Sequence, residues 1–139
     1  MYYIFYALIW TISWLPMRML YVLSDLMFPL VYHVARYRRK VVRRNLVNAF
    51  PEYTPKQIAE TEKKFYHFFC DLMVEIIRQL HAPKKEMKKR MTFENLDLLI
   101  EQAKLGKSSM IMTGHYCNWE WTSVICLHQI GRASCRERV

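Results

Sequence analysis

The sequence predicts an α-rich chain of the α/β class. An N-terminal membrane-anchor helix comes first, then several helices, then a first strand that turns into a further helix. Three observations predict this. The opening stretch MYYIFYALIWTISWLPM carries no formal charge. Apolar residues recur at helical spacing from Ile58 to Leu80. A short apolar run, Ser108 to Thr113, starts in a loop and stops at a glycine, as a buried strand does. The chain has 139 residues, which sets one domain or part of one, and only three glycines, which argues against a turn-rich all-β protein.

The anchor is expected within residues 1–35. A bilayer-spanning helix needs about 20 apolar residues, with about 17 as the lower limit, so the first run sits at the threshold. Tyr2, Tyr3, Tyr6, Trp10 and Trp14 are the amphipathic aromatics that favour a membrane interface. A cleaved signal peptide is disfavoured, because no basic segment precedes the apolar run and no small-x-small site follows it. Pro16 and Pro29 predict a kinked helix or two short ones, the second lying in the interface.

RYRRKVVRR, Arg36 to Arg44, follows with six positive charges and no acidic residue. Placed directly after an apolar anchor, such a run marks the cytoplasmic side and attracts anionic head groups, at about 1 kcal/mol per residue. The formal charge of +9 points the same way, to an anionic partner. Nucleic acid is disfavoured, since neither zinc-finger spacing nor an RNA-binding aromatic signature is present.

The helix continues through NLVNAF to Pro51. Thr54-Pro55-Lys56-Gln57 reads as the next helix start, with Thr54 as N-cap, Pro55 at the first helical position and Gln57 as capping-box partner. Ile58, Phe65, Phe69, Leu72, Ile76 and Leu80 then mark an amphipathic helix of about 25 residues that ends near Pro83. Its aromatic stripe is read as core packing, and His67 and His81 as structural or exposed. A second basic cluster, KKEMKKR (Lys84 to Arg90), precedes a short helix from Leu96 that stops at Gly106, a natural residue for a helix C-terminus. Trp119 to Ile130 is predicted helical. Cys70, Cys117, Cys126 and Cys135 are widely spaced without a CxxC pair and are expected as free thiols in a reducing compartment.

The tail, residues 131–139, is expected to be non-native. GRASCRERV breaks the preceding apolar pattern and resembles, in every residue, the translation of a common short-read sequencing adapter. Without its three arginines and one glutamate the net charge of +9 becomes +7, which is still basic.

The segment GHYCNWEW, Gly114 to Trp121, has the look of chemistry. Gly114 permits a sharp turn or the close approach of a substrate. Asn118 is a plausible N-cap, which puts Glu120 in the first helical turn, where the dipole favours its ionised form. His115 then lies within reach of that carboxylate. A histidine held so offers its other ring nitrogen as a general base, while the glutamate fixes the tautomer and stabilises the imidazolium. This is the His-carboxylate half of a triad with no protein nucleophile, suited to acyl transfer onto an external hydroxyl. Cys117 as nucleophile is disfavoured, lying two residues from His115 in a tight turn. No HExxH spacing supports a metal site, and no cofactor is expected.

In context the pair is more specific. YRRKVVRRNLVNAFPE (Tyr37 to Glu52), a long amphipathic helix and a strand ending in GHYCNWEW, in that order after an apolar N-terminus, closely resemble the late (lauroyl/myristoyl) acyltransferases of lipid A biosynthesis. These belong to the wider glycerolipid acyltransferases with their His-x4-Asp/Glu signature. The resemblance runs from Met1 to Ile130 and implies a glycerolipid-acyltransferase-like α/β domain whose N-terminal part is residues 36–130. It further implies an enzyme of the bacterial inner membrane, facing the cytoplasm, that moves a fatty acyl chain from acyl carrier protein to a hydroxyl of a lipid A precursor. His115 would be the general base and Glu120 its orienting carboxylate. Arg38, Arg39, Lys40, Arg43 and Arg44 are candidate substrate-binding residues, since lipid A precursors carry phosphates and acyl carrier protein is acidic. Members of the family are about twice as long, so further strands and motifs are expected beyond Ile130, and the chain as it stands is expected to be inactive. Two alternatives stay open: an acyltransferase acting on another glycerolipid, and a non-catalytic basic protein that binds a membrane surface.

Overall fold

A computed structural model describes residues 2–128. It divides into two compact units, one ending at Arg78 and the other beginning at Gln79.

The first unit contains α1 (Tyr2–Ser13), α2 (Met17–Pro29), α3 (Arg39–Ala49) and nearly all of α4 (Pro55–Gln79). The apolar N-terminus does not form one span. At Trp14 to Pro16 the chain leaves the helix, and Pro16 adopts an extended conformation (φ −63°, ψ 149°) that starts α2. The resulting α1 has 12 residues, about 18 Å of helix against about 30 Å of bilayer core. Among the described residues no helix is long and apolar enough to cross a membrane, which corrects the expected membrane-anchor helix in residues 1–35. Pro29 supplies no N–H donor, and the chain widens there into a π-helical turn, Leu30–Ala35.

Far from lying apart as an anchor, α2 is packed. Met17, Leu20 and Val74 form a buried cluster, flanked by Ile12, Leu15 and Met27. Fully burying a side chain such as Leu20 contributes about 1.5–3 kcal/mol. Polar bonds fix the register: Tyr21 Oη donates to Glu75 Oε1 (2.7 Å) and Ser24 Oγ to Asp71 Oδ1 (2.6 Å). Arg78 Nη1 donates to the Ser13 carbonyl oxygen (3.0 Å).

The start of α4 is as predicted: Gln57 Oε1 accepts from the Thr54 N–H (2.8 Å), and the Gln57 N–H reaches Thr54 Oγ1 (3.4 Å). Its buried face agrees with the prediction at Ile58 and differs beyond it. Ile58, Glu62, Tyr66, Cys70, Val74 and Arg78 are inside, a stripe with a strict step of four. Phe65 and Leu80, read as core, are 39% and 62% exposed. The inward face carries two charged residues because each has partners. Glu62, with no exposed surface, accepts from Arg39 Nε (2.9 Å) and Arg43 Nε (2.7 Å) on α3. Arg39 also lies over the Tyr32 ring at 4.2 Å and donates to Tyr32 Oη (3.2 Å).

The second unit contains α5 (Lys84–Arg90), α6 (Leu96–Lys104) and a 3₁₀ helix, Trp119–His128. Gln79 Nε2 secures the 3₁₀ helix by donating to the Glu120 carbonyl (3.1 Å) and to Ser123 Oγ (2.8 Å). Trp121 and Val124 are buried, and α5 packs against this helix. α6 ends as predicted at Gly106, which takes φ +67°.

Residues 108–113, expected as a buried strand, are irregular. Met110 and Met112 are 89% and 90% exposed. A strand is stabilised by pairing with a neighbour, and among the described residues no second strand is present. The α/β expectation is therefore corrected: the described residues are helical or irregular throughout. The expected tail, residues 131–139, lies outside the described residues.

Glu62 gives a pH-dependent stability. Burial pushes its carboxyl pKa up, but the hydrogen bonds and charges of Arg43 and Arg39 outweigh this and leave it below the ordinary value. A depressed folded-state pKa means the contribution is complete above the ordinary glutamate range, about 4.3, and fades as pH falls through the lowered value. Glu62→Gln should lower unfolding stability by about 2–3 kcal/mol at neutral pH. The deficit relative to wild type should shrink in urea melts taken at progressively more acidic pH.

Candidate active site

The candidate catalytic segment lies in the second unit, between the irregular run and the 3₁₀ helix. Tyr116 N–H donates to the Gly114 carbonyl (2.8 Å), closing a tight turn around His115. The positive φ in this turn falls at Cys117 (φ 50°), not at Gly114. An added Cβ on Gly114 would meet nothing within 4 Å, so the chain's own geometry does not require glycine there. What Gly114 leaves is open space beside His115.

His115 is exposed, and its ring sits edge-on to Trp119 with centroids 4.5 Å apart. Glu120 is half-buried in the first turn of the 3₁₀ helix, as expected for a carboxylate near a helix N-terminus. Its main-chain oxygen accepts from Gln79 and from Ser123 Oγ (3.1 Å), which fixes where its side chain departs from the backbone. No hydrogen bond or ion pair joins His115 to Glu120 among the described residues. His115 lies in the turn and Glu120 in the helix that follows it; the aromatic contact with Trp119, which sequence reasoning did not single out, orients the imidazole.

The basic run lies in the first unit, and its members have different roles. Arg39 and Arg43 are committed to Glu62. Arg38, at the N-terminal cap of α3, adopts a left-handed conformation (φ 50°), as does Arg36 (φ 49°). Arg36, Arg38, Arg39, Lys40 and Arg43 line a recess of about 420 Å³. Of the expected residues Arg44 is not part of this lining, and Arg36, outside that set, is. The signal for Arg36 was in the sequence, since it begins the same charge run. The second basic cluster is partly self-compensated, with Arg90 Nε 3.2 Å from Glu86 Oε1 one helical turn away.

The cysteines differ from the expectation of four free thiols. Cys70 is free and buried, its thiol pKa pushed up by burial and by Asp71, and Cys117 is free and exposed. Cys126 is disulfide-bonded. Cys135 lies outside the described residues. No group of three or more His, Cys, Asp or Glu side chains among the described residues is placed to hold a metal ion.

A sequence model of the family described as bacterial lipid A biosynthesis acyltransferase matches residues 1–138. No curated protein and no solved structure gives a match.

The two glycines separate a turn requirement from open space. Gly114→Ala should change unfolding stability by less than about 0.5 kcal/mol. Gly106→Ala should cost about 1 kcal/mol, because its left-handed conformation disfavours a Cβ. Urea titrations of the two variants measure the difference.

Proposed function

The chain belongs to the bacterial lipid A biosynthesis acyltransferase family, and from that premise we propose that its reaction moves a fatty acyl chain from acyl carrier protein to a hydroxyl of a lipid A precursor. The observation that carries this is an accessible imidazole in a tight turn, followed five residues on by a carboxylate in the first turn of the next helix.

In the proposed reaction His115 removes the proton as the acceptor hydroxyl attacks the thioester carbonyl. An ester C–O bond forms and the C–S bond breaks. The proton passes from the imidazolium to the departing thiolate, so no acyl-enzyme is required. Glu120 holds the ring in the productive tautomer and offsets the charge of the imidazolium. This needs a carboxylate–imidazole hydrogen bond, and catalytic hydrogen bonds commonly tighten only once substrate is bound. The open space at Gly114 leaves room for the reacting carbonyl. Arg38 and Lys40, exposed and outside the Glu62 pairing, are proposed contacts for substrate phosphate. Arg39 and Arg43 hold the walls of the same recess.

The proposed location is the cytoplasmic face of the bacterial inner membrane, with attachment at the interface. Tyr2, Tyr3, Ile4 and Phe5 at the start of α1 are each at least 65% exposed, which suits insertion of an aromatic face among head groups.

Acyl transfer from an acyl carrier protein thioester to a lipid A precursor tests the reaction. In the full-length protein, His115→Ala should lower kcat by about 10²–10⁴-fold. Glu120→Gln should lower it less, with KM for the acceptor little changed. Full activity of His115→Ala would overturn the proposal. For attachment, Tyr3→Ser combined with Phe5→Ser should weaken partitioning onto anionic vesicles about tenfold. Unchanged partitioning would remove α1 from the interface.

A further inference from the structure

Two concavities in the first unit meet at one residue. The cationic recess brings five positive side chains together against the single buried carboxylate of Glu62. Beside it a groove of about 300 Å³ is lined by Val41, Val42, Phe65, Tyr66 and Phe69. Arg38 lines both. The volumes lie at the lower end of ligand-binding clefts, about 300–1,000 Å³.

The groove is lined mainly by aliphatic and aromatic side chains. Tyr66, fully buried, donates its Oη to the Tyr37 carbonyl, which removes that hydroxyl from service to a ligand. Tyr37 and Asn45 add a phenol and an amide to the lining. The recess differs in the opposite sense. Arg36 Nε donates to the His33 carbonyl (3.3 Å), and Arg39 and Arg43 are held by Glu62, so three of its cations are fixed in place. Arg38 and Lys40 have no ion-pair partner among the described residues. Cations so crowded repel one another, and a counter-anion relieves that repulsion.

The backbone supports the same reading. Two non-glycine residues, Arg36 and Arg38, take left-handed conformations two positions apart, and each costs about 1–2 kcal/mol. Strain of this kind gathers at ligand clamps, where the surrounding structure holds it. Here the Arg36 N–H bonds to the Val31 carbonyl and the Arg39 N–H to the Arg36 carbonyl, which hold the turn closed.

We propose that recess and groove form one bipartite site for a phosphate-headed lipid, with the phosphate among Arg36, Arg38 and Lys40 and one acyl chain along the α3–α4 groove. Charge complementarity selects the head, and the aromatic and valine lining selects the chain. The site deepens the phosphate-contact assignment made above and rests on it only for the choice of basic residues. No residue of the His115–Glu120 turn lines either concavity.

Calorimetric titration tests it without turnover, so its outcome is separate from that of the acyl-transfer assay. The probes are dodecyl phosphate below its micelle concentration, dodecyl maltoside and inorganic phosphate. Dodecyl phosphate should bind at least about tenfold more tightly than either of the others. Arg38→Asn removes the shared charge while suiting the left-handed backbone. Asn45→Trp fills the groove from an exposed position. Neither residue belongs to the Glu62 network, and far-UV circular dichroism should be unchanged in both. Arg38→Asn should weaken dodecyl phosphate about tenfold. Asn45→Trp should weaken it similarly and leave inorganic phosphate unaffected. Equal affinity for inorganic phosphate would reduce the site to a simple anion site and overturn the proposal. Equal affinity for dodecyl maltoside, or an unaffected Asn45→Trp, would overturn the assignment of the groove to the chain.

Discussion

The carboxylate of Glu62 is the constraint on which the first unit depends. An ionised carboxylate taken out of water costs several kcal/mol unless hydrogen bonds and opposite charge offset it. Glu62 has no exposed surface, and both its oxygens are met, one by Arg39 and the other by Arg43. The pairing therefore fixes where α3 lies on α4. It also draws Tyr32 into place, since Arg39 lies over that ring and donates to its hydroxyl. An apolar replacement of the whole trio could match its stability. What apolar packing would not supply is an arginine-bearing helix held with its first turn open, with Arg38 and Lys40 displayed beside a fixed neighbour.

How much of this was legible follows from which forces act locally. The start of α4 was, because a capping box is a contact between residues three apart, and Thr54 and Gln57 make it. The stop of α6 at Gly106 was too, because a left-handed residue is a local requirement. The buried face of α4 was not. Hydrophobicity pointed to Phe65 and Leu80, while the inward stripe carries Glu62 and Arg78. Charged residues at core positions are invisible to an apolar count, and become sensible only with the partners that sit 19 to 65 positions away. A search for an acidic residue matching the clustered arginines would have been the usable signal.

The two contradicted expectations failed for related reasons. A strand depends on a neighbour, so the apolar run before Gly114 could show the composition of a strand without forming one. A spanning helix depends on uninterrupted length, and the break expected at Pro16 leaves α1 too short to span. With α1 closed at Ser13, the apolar residues of α2 found partners on α4, and Leu20 and Ser24 are almost wholly inside. In the site itself the residue types were legible and the contacts were not. A spacing of five leaves His115 in the turn and Glu120 in the next helix, while the ring packs on Trp119, an aromatic contact that could not be read from spacing.

The short α1 and the cationic recess bear on attachment through the same physics. A helix of about 18 Å cannot place both ends in water across a bilayer core of about 30 Å. It can lie in the head-group layer, where its amphipathic aromatics gain from partial burial without desolvating the backbone beyond its own hydrogen bonds. Basic side chains near such a surface each add about 1 kcal/mol, and that part weakens with salt. The aromatic part does not. Under the proposed reading, attachment is a sum of a salt-sensitive and a salt-insensitive contribution, from the Arg36–Arg44 run and from α1 respectively. Either alone gives weak, reversible binding. On that reading the two together would hold the chain at the interface where the proposed substrate resides, without a spanning helix.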